Sequence, residues 1–206
     1  VDYGVGNVRS IINAFNQYDC QTILTDDKNL IMDCDGLILP GVGAFKYGME
    51  KLSKKGLDKI LKEFVDTSKP LLGICLGMQM LFDSSSEFGE TKGLGLIEGK
   101  IEKLPSQDNT KLPHIAWTKI HLNKSKKIEG TILKNINNPG HYYHVHSYFA
   151  IPSNPNSTLT FSMYNNYKFS STVKKNNIFG CQYHPEKSGI EGLKVIQNFI
   201  EISKKY

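Results

Sequence analysis

Apolar positions along the chain follow two rhythms. Val8, Ile11, Ile12 and Phe15 recur at helical spacing and predict an amphipathic helix over 7–18. Residues 21–25 read as a short strand. The apolar run at 36–39 reads as another, and it stops at the breaker cluster Pro40-Gly41-Val42-Gly43. Leu57, Ile60, Leu61, Phe64 and Val65 mark a further helix, and residues 71–74 form an apolar strand. Strands alternating with helices imply an α/β fold with a mostly parallel central sheet flanked by helices.

The rhythm changes between Gly93 and Phe169. Short strand-like pieces at 94–97, 101–104, 115–120, 142–151 and 158–163 are separated by turn residues such as Ser153-Asn154-Pro155-Asn156. They predict an antiparallel extension of the same sheet system. The parallel pattern returns with a strand at 178–183. A C-terminal helix follows, lined by Ile190, Leu193, Ile196, Phe199 and Ile200. With 206 residues, no repeat and no low-complexity segment, the chain is expected to form a single domain over 1–206. Val1-Asp2-Tyr3-Gly4 reads as the end of a strand already in progress, so an initiator Met and the start of a first strand are expected before it.

Charge and cysteine content narrow the function classes. The net charge of +5 comes almost wholly from lysine, because Arg9 is the only arginine. Arginine is the preferred fork for phosphate and base edges, so a nucleic-acid partner is not expected. No stretch has the length and apolarity of a membrane span. Cys20, Cys34, Cys75 and Cys181 have no CxxC spacing, which suggests neither a zinc site nor a disulfide framework and points to the reducing cytoplasm. His141, His144 and His146 lack a nearby carboxylate or thiol, so they read as pocket lining and not as metal ligands. Gly4-Val5-Gly6 is not followed by a GK[ST] and is not a phosphate loop. No cofactor is expected.

Candidate chemistry centres on Gly73-Ile74-Cys75-Leu76-Gly77, directly after the strand at 71–74. Gly-x-Cys-x-Gly is the thiol form of the nucleophile elbow, a sharp strand-to-helix turn that lifts a nucleophile above a sheet. A helix beginning at Leu76 favours a thiolate at Cys75 and aims the Leu76 N–H where an oxyanion would form. The alternative is a buried core cysteine at a strand end. A catalytic thiol needs a base, and the base needs an orienter. His184-Pro185-Glu186, after an apolar strand, supplies both, because residues two apart in extended chain face one side. The tripeptide alone reads equally as a surface turn. Beside a cysteine elbow in an α/β chain it completes a Cys, His, Glu order.

These residues carry a resemblance. GICLGMQ (73–79) and YHPEKSG (183–189) resemble the class I, or triad, glutamine amidotransferases. VDYGVGNVRS (1–10), LPGVGAF (39–45), PHIAWTKI (113–120) and HVHSYF (144–149) narrow the likeness to the glutaminase subunits of imidazole glycerol phosphate synthase. The resemblance runs through nearly the whole chain and implies the class I glutamine amidotransferase-like fold.

It implies Cys75 as nucleophile, His184 as general base and acid, and Glu186 as its orienter. It also implies an oxyanion hole from Leu76 and from Val42 or Gly43, with Gln79, Glu87, Ser147 and Tyr148 holding L-glutamine. Trp117, Tyr143 and Lys187 match positions that face a (β/α)8-barrel synthase subunit, which uses the ammonia in histidine biosynthesis. Gly41 and Gly43 would let one peptide of the oxyanion strand rotate, so partner binding is expected to gate the activity.

Three segments depart from the family pattern: Ile115-Ala116-Trp117-Thr118 for Met-Gly-Trp-Asn, Tyr164-Asn165-Asn166 for Asp-Tyr-Gly, and Cys181 for a small aliphatic. They leave two alternatives: a paralogous glutaminase serving a surface-sugar amidating enzyme, and a silent partner-binding scaffold.

Overall fold

The computed structural model describes residues 1–6, 8–105, 111–136 and 140–206, so Asn7, in the first motif and at the expected start of the first helix, lies outside the described residues. The first half contains α1 (Val8–Phe15), α2 (Lys28–Asp33), β1 (Leu37–Leu39), α3 (Phe45–Lys54), α4 (Leu57–Asp66) and β2 (Leu71–Ile74). The elbow leads into α5 (Leu76–Met80), and β3 (Phe82–Ser85), β4 (Thr91–Lys92), β5 (Ile97–Lys103) and β6 (His114–Leu122) follow. The chain closes with β7 (His141–His146), β8 (Tyr148–Pro152), β9 (Thr158–Tyr164), β10 (Tyr167–Lys175), β11 (Ile178–Cys181) and α6 (Gly189–Ser203).

The expected α/β class holds. The main sheet has seven strands in the order β1-β2-β11-β10-β9-β6-β7. Only β1, β2 and β11 run parallel; β10, β9, β6 and β7 extend them in antiparallel fashion. A second sheet, β4-β3-β5-β8, packs beside it. The two pieces expected at 94–97 and 101–104 are one strand, from Ile97 to Lys103. The strand expected over 142–151 is two, split at Ser147 where the chain passes from one sheet to the other.

Residues 21–25 form no strand. They make only isolated contacts, such as the Asp2 N–H to the Thr25 carbonyl at 2.8 Å. Helices α2 and α3 were not anticipated. Asp27 starts α2 by accepting from the Asn29 and Leu30 N–H groups at 2.8 and 3.0 Å.

The parallel strands are covered on both faces, which explains their near-continuous apolar sequence. Leu37, Leu39 and Leu71 pack with α3, α4 and the second sheet. Leu72, Ile74 and Phe179 pack with α1 and α6, where Phe15 and Phe199 meet edge to face with centroids 6.3 Å apart. In register, Leu39 lies opposite Gly73, and Ile74 opposite Cys181. The carboxyl ends of β2 and β11 therefore finish side by side, the usual place for a site in an open α/β sheet.

Candidate active site

Cys75 is the first residue after β2. Its N–H still donates to the Cys181 carbonyl at 2.7 Å, extending the ladder by one position. The backbone then turns sharply: Cys75 has φ 54° and ψ −110°, outside the regions favoured by L-residues, and α5 begins at Leu76. Such a conformation costs about 1–3 kcal/mol and persists only when its surroundings over-determine it. Two glycines do so here. A Cβ on Gly77 would stand 1.8 Å from the Leu39 carbonyl oxygen, and one on Gly73 would stand 2.7 Å from the Met78 nitrogen. The elbow glycines are thus required by close backbone approach. Helix α5 has only five residues, so its electrostatic aid to a thiolate reduces to the unpaired N–H groups of its first turn.

His184 follows β11 by three residues, and Pro185–Lys187 form a 3-10 turn. Glu186 reaches the ring from that turn, not from continued extended chain: its Oε1 lies 2.8 Å from His184 Nδ1. Both side chains are almost wholly buried. The turn is fastened to β7. The His184 N–H donates to the Tyr143 carbonyl at 2.9 Å. The Tyr143 N–H donates to Ser188 Oγ at 3.0 Å, and that hydroxyl donates to the His184 carbonyl at 2.6 Å.

The second ring nitrogen, Nε2, is buried and makes no hydrogen bond among the described residues, and Cys75 lies close enough to act on the ring's charge. Burial pushes the His184 pKa down. The hydrogen-bonding and charge interactions with Cys75 and Glu186 outweigh it and raise the pKa to about 10. Cys75 and Glu186 thus both favour the charged imidazolium form of His184.

The remaining candidate residues fall into groups. Cys75 Sγ also touches the Val145 carbonyl at 3.8 Å and Gln182 Nε2 at 4.0 Å. Gln182 is fully buried, and its Oε1 accepts from Gln79 Nε2 at 3.1 Å. The same Gln79 nitrogen donates to the Tyr148 carbonyl at 2.9 Å. Glu87 lies near the Tyr148 phenol, whose pKa is raised by burial and by that carboxylate's charge. Gln79 is thus bonded to the Tyr148 backbone, and Glu87 lies near enough to the Tyr148 phenol to act on it through charge. The Ser147 carbonyl accepts from Leu104 at the crossing between the two sheets. Gln182 escaped the sequence reading, although its place two residues before His184 was a usable signal.

In the segment expected to hold the oxyanion, Gly41 and Gly43 behave differently. A Cβ on Gly41 would meet Tyr3 Oη at 2.7 Å and the Gly77 nitrogen at 2.9 Å, so this glycine is locked by packing. Gly43 has φ 101° and open space beside it, and Val42 is 39% exposed. Of the two glycines expected to permit a peptide rotation, only Gly43 has open space beside it.

Trp117, Tyr143 and Lys187 come together on one face. The Trp117 and Tyr143 rings lie 6.3 Å apart, and Lys187 Nζ sits 5.9 Å from the Tyr143 centroid. Tyr143 also stands 6.2 Å from the His184 ring, which joins this face to the site.

The histidines regroup. His141 is exposed, and His114 joins His144 and His146 through the pairing of β6 with β7, with ring centroids 5.5–5.7 Å apart. Burial lowers all three pKa values, that of His144 to about 3. Among the described residues no group of three side chains is arranged to hold a metal ion, and no helix is long and apolar enough to cross a membrane.

The model of the family "Glutamine amidotransferase class-I" matches residues 1–202. The chain belongs to that family of amidotransferases. Among its relatives are imidazole glycerol phosphate synthase subunit HisH 1 of Legionella pneumophila (strain Lens) and subunit HisH of Sulfurimonas denitrificans. The first is 44% identical over 98% of this chain and 97% of its own; the second is 42% identical over 97% and 95%. Two solved structures share the fold. A glutamine amidotransferase superposes with TM-score 0.73 at 15% identity, covering 97% of this chain and 95% of its own. PurLQS from Thermotoga maritima superposes with TM-score 0.71 at 18% identity, over 97% and 95%.

Proposed function

We propose that this chain, acting as one glutaminase unit, hydrolyses the side-chain amide of L-glutamine and delivers ammonia to a (β/α)8-barrel synthase subunit. That partner makes imidazole glycerol phosphate and AICAR in histidine biosynthesis. The observation that carries the reading is the buried 2.8 Å His184–Glu186 contact beside a cysteine held at positive φ. The HisH relatives, matched over nearly full length, support the pathway. Four free cysteines suit a reducing cytoplasm.

The chemistry follows from the groups present. The Cys75 thiolate attacks the amide carbon, forming a C–S bond and a tetrahedral oxyanion. The Leu76 N–H and one from Val42 or Gly43 receive that charge; loss of one such donor typically costs about 3–4 kcal/mol. The His184 imidazolium protonates the departing nitrogen, the C–N bond breaks, and ammonia leaves a thioester. Neutral His184 then takes a proton from water, whose oxygen attacks the thioester. The C–S bond breaks, and glutamate and the thiolate–imidazolium pair are released. Glu186 holds the ring orientation throughout. Free ammonia would protonate in bulk water, so delivery needs a partner docked over Trp117, Tyr143 and Lys187. The Gly43 end of the oxyanion strand, with open space beside it, is the element such a partner would reorient.

The test is glutamate release by the purified chain, alone and mixed with the histidine-pathway barrel or with a sugar-amidating enzyme. Weak release alone and strong release with the barrel is the expected result. No glutamate from any mixture overturns the activity, and activation only by the sugar enzyme overturns the pathway.

A further inference from the structure

Helix α3 opens without a local cap. Ala44 stands at its N-cap position and offers no side-chain acceptor to the first-turn N–H groups. The acceptor comes instead from Glu87, 42 residues from Phe45, whose Oε2 takes the Phe45 N–H at 2.6 Å. This is a short, charge-assisted bond of the stronger kind.

The bond sits at one end of the segment that would form the oxyanion hole. At the other end, Tyr3 Oη donates to the Pro40 carbonyl at 2.7 Å, and Gly41 is wedged against Tyr3 and Gly77. Between these anchors Val42 is partly exposed and Gly43 stands in open space. The fully buried Phe45 ring cannot follow a shift of the strand. Among the described residues the Glu87–Phe45 bond is the side-chain hydrogen bond that follows Gly43 most closely along the chain.

A carboxylate accepts at both oxygens. Oε2 is committed to Phe45, and Oε1 forms no hydrogen bond among the described residues. The carboxylate is near Tyr148, whose carbonyl is held by Gln79 Nε2 at 2.9 Å.

We propose that Glu87 couples substrate binding to the oxyanion hole: one oxygen pins the start of α3 and the strand before it, while the other receives the α-ammonium of glutamine. The proposal rests on the glutaminase reading and adds a positioning role to a binding residue. Each donor fixes the carboxylate rotamer that the other requires, so the two contacts reinforce one another. Glutamine lacking its α-amino group would forgo half of this arrangement and leave the Phe45 bond intact.

The test uses Glu87→Gln and Glu87→Ala in the complex with the synthase partner, with glutamine and with glutaramate, the desamino analogue. Glu87→Gln keeps an oxygen for Phe45 and loses the charge; Glu87→Ala loses both. With glutamine, both variants are expected to raise KM about tenfold or more, the size expected for a lost charged hydrogen bond. With glutaramate, kcat of Glu87→Ala should fall about tenfold below that of Glu87→Gln. Equal kcat for the two on glutaramate overturns the proposal while leaving the glutaminase reading in place. A wild-type complex that releases no glutamate defeats that reading instead.

Hydrogen exchange at the Phe45 amide gives a readout independent of turnover. Exchange should be faster in Glu87→Ala than in Glu87→Gln, and glutamine should slow it in Cys75→Ala. Exchange at Phe45 indifferent to glutamine overturns the coupling.

Discussion

The Cys75 N–H donates to the Cys181 carbonyl at 2.7 Å, so the strand that carries the thiol and the strand that leads to the imidazole end in register. Three residues beyond Cys181 the chain reaches His184, which bonds Glu186 and lies close enough to Cys75 for the two to interact through charge. Two motifs more than a hundred residues apart thus become one site through a backbone hydrogen bond, with no side chain needed to align them. Strain at Cys75 is held by the Gly77 contact with the strand on its other side.

The first prediction concerns the pair His184–Glu186. Glu186→Gln keeps a hydrogen-bond acceptor and removes a charge that raises the His184 pKa. The His184 titration, followed by NMR of the ring protons, is expected near pH 10 in the wild type and lower in the variant. Because the folded-state pKa is raised, the associated stability is full below the unfolded value of about 6.5 and is lost as pH rises through about 10. The stability difference between wild type and variant should therefore shrink across that window. A His184 titration unmoved by Glu186→Gln contradicts the assignment of Glu186 as its partner.

The second prediction concerns His114, His144 and His146. Burial holds all three neutral in the fold, whereas the unfolded chain protonates them near pH 6.5. Their folded pKa values are lowered, so stability is present above about 6.5 and lost as pH falls from there toward 3. Each neutral imidazole can contribute up to about 1.4 kcal/mol per pH unit to that slope. Urea denaturation at a series of pH values should show the loss, and His144→Gln should flatten the slope by up to one proton. An unchanged slope in that variant contradicts neutral burial of His144.

Much of the site was legible because its parts are local. The strand at 71–74, the elbow after it and the strand before His184 announce themselves by apolar runs broken at special residues. What stayed hidden depends on pairing. Strand β10 was missed because Ser170, Ser171 and Thr172 are buried yet polar; they satisfy one another with Thr158 and Thr160 across the β9–β10 ladder, so no apolar alternation marks it. The break at Ser147 was invisible because an aromatic-rich, strand-like run continues on both sides of it and only the sheet changes. His114 joins His146 through strand register alone. Glu87 reaches Phe45 across 42 residues of sequence, a pairing that no local pattern marks.

The central claim, that Cys75 is the nucleophile of a glutaminase, is tested most directly by covalent labelling. The chain in complex with its synthase partner is treated with a glutamine analogue bearing an electrophilic ketone at the side-chain end. Peptide mass spectrometry then locates the adduct. The account predicts one adduct, on Cys75, formed in step with the loss of glutamate release and suppressed by excess glutamine. Loss of activity with the adduct on Cys20, Cys34 or Cys181, or glutamate release that continues after Cys75 is fully labelled, would contradict it.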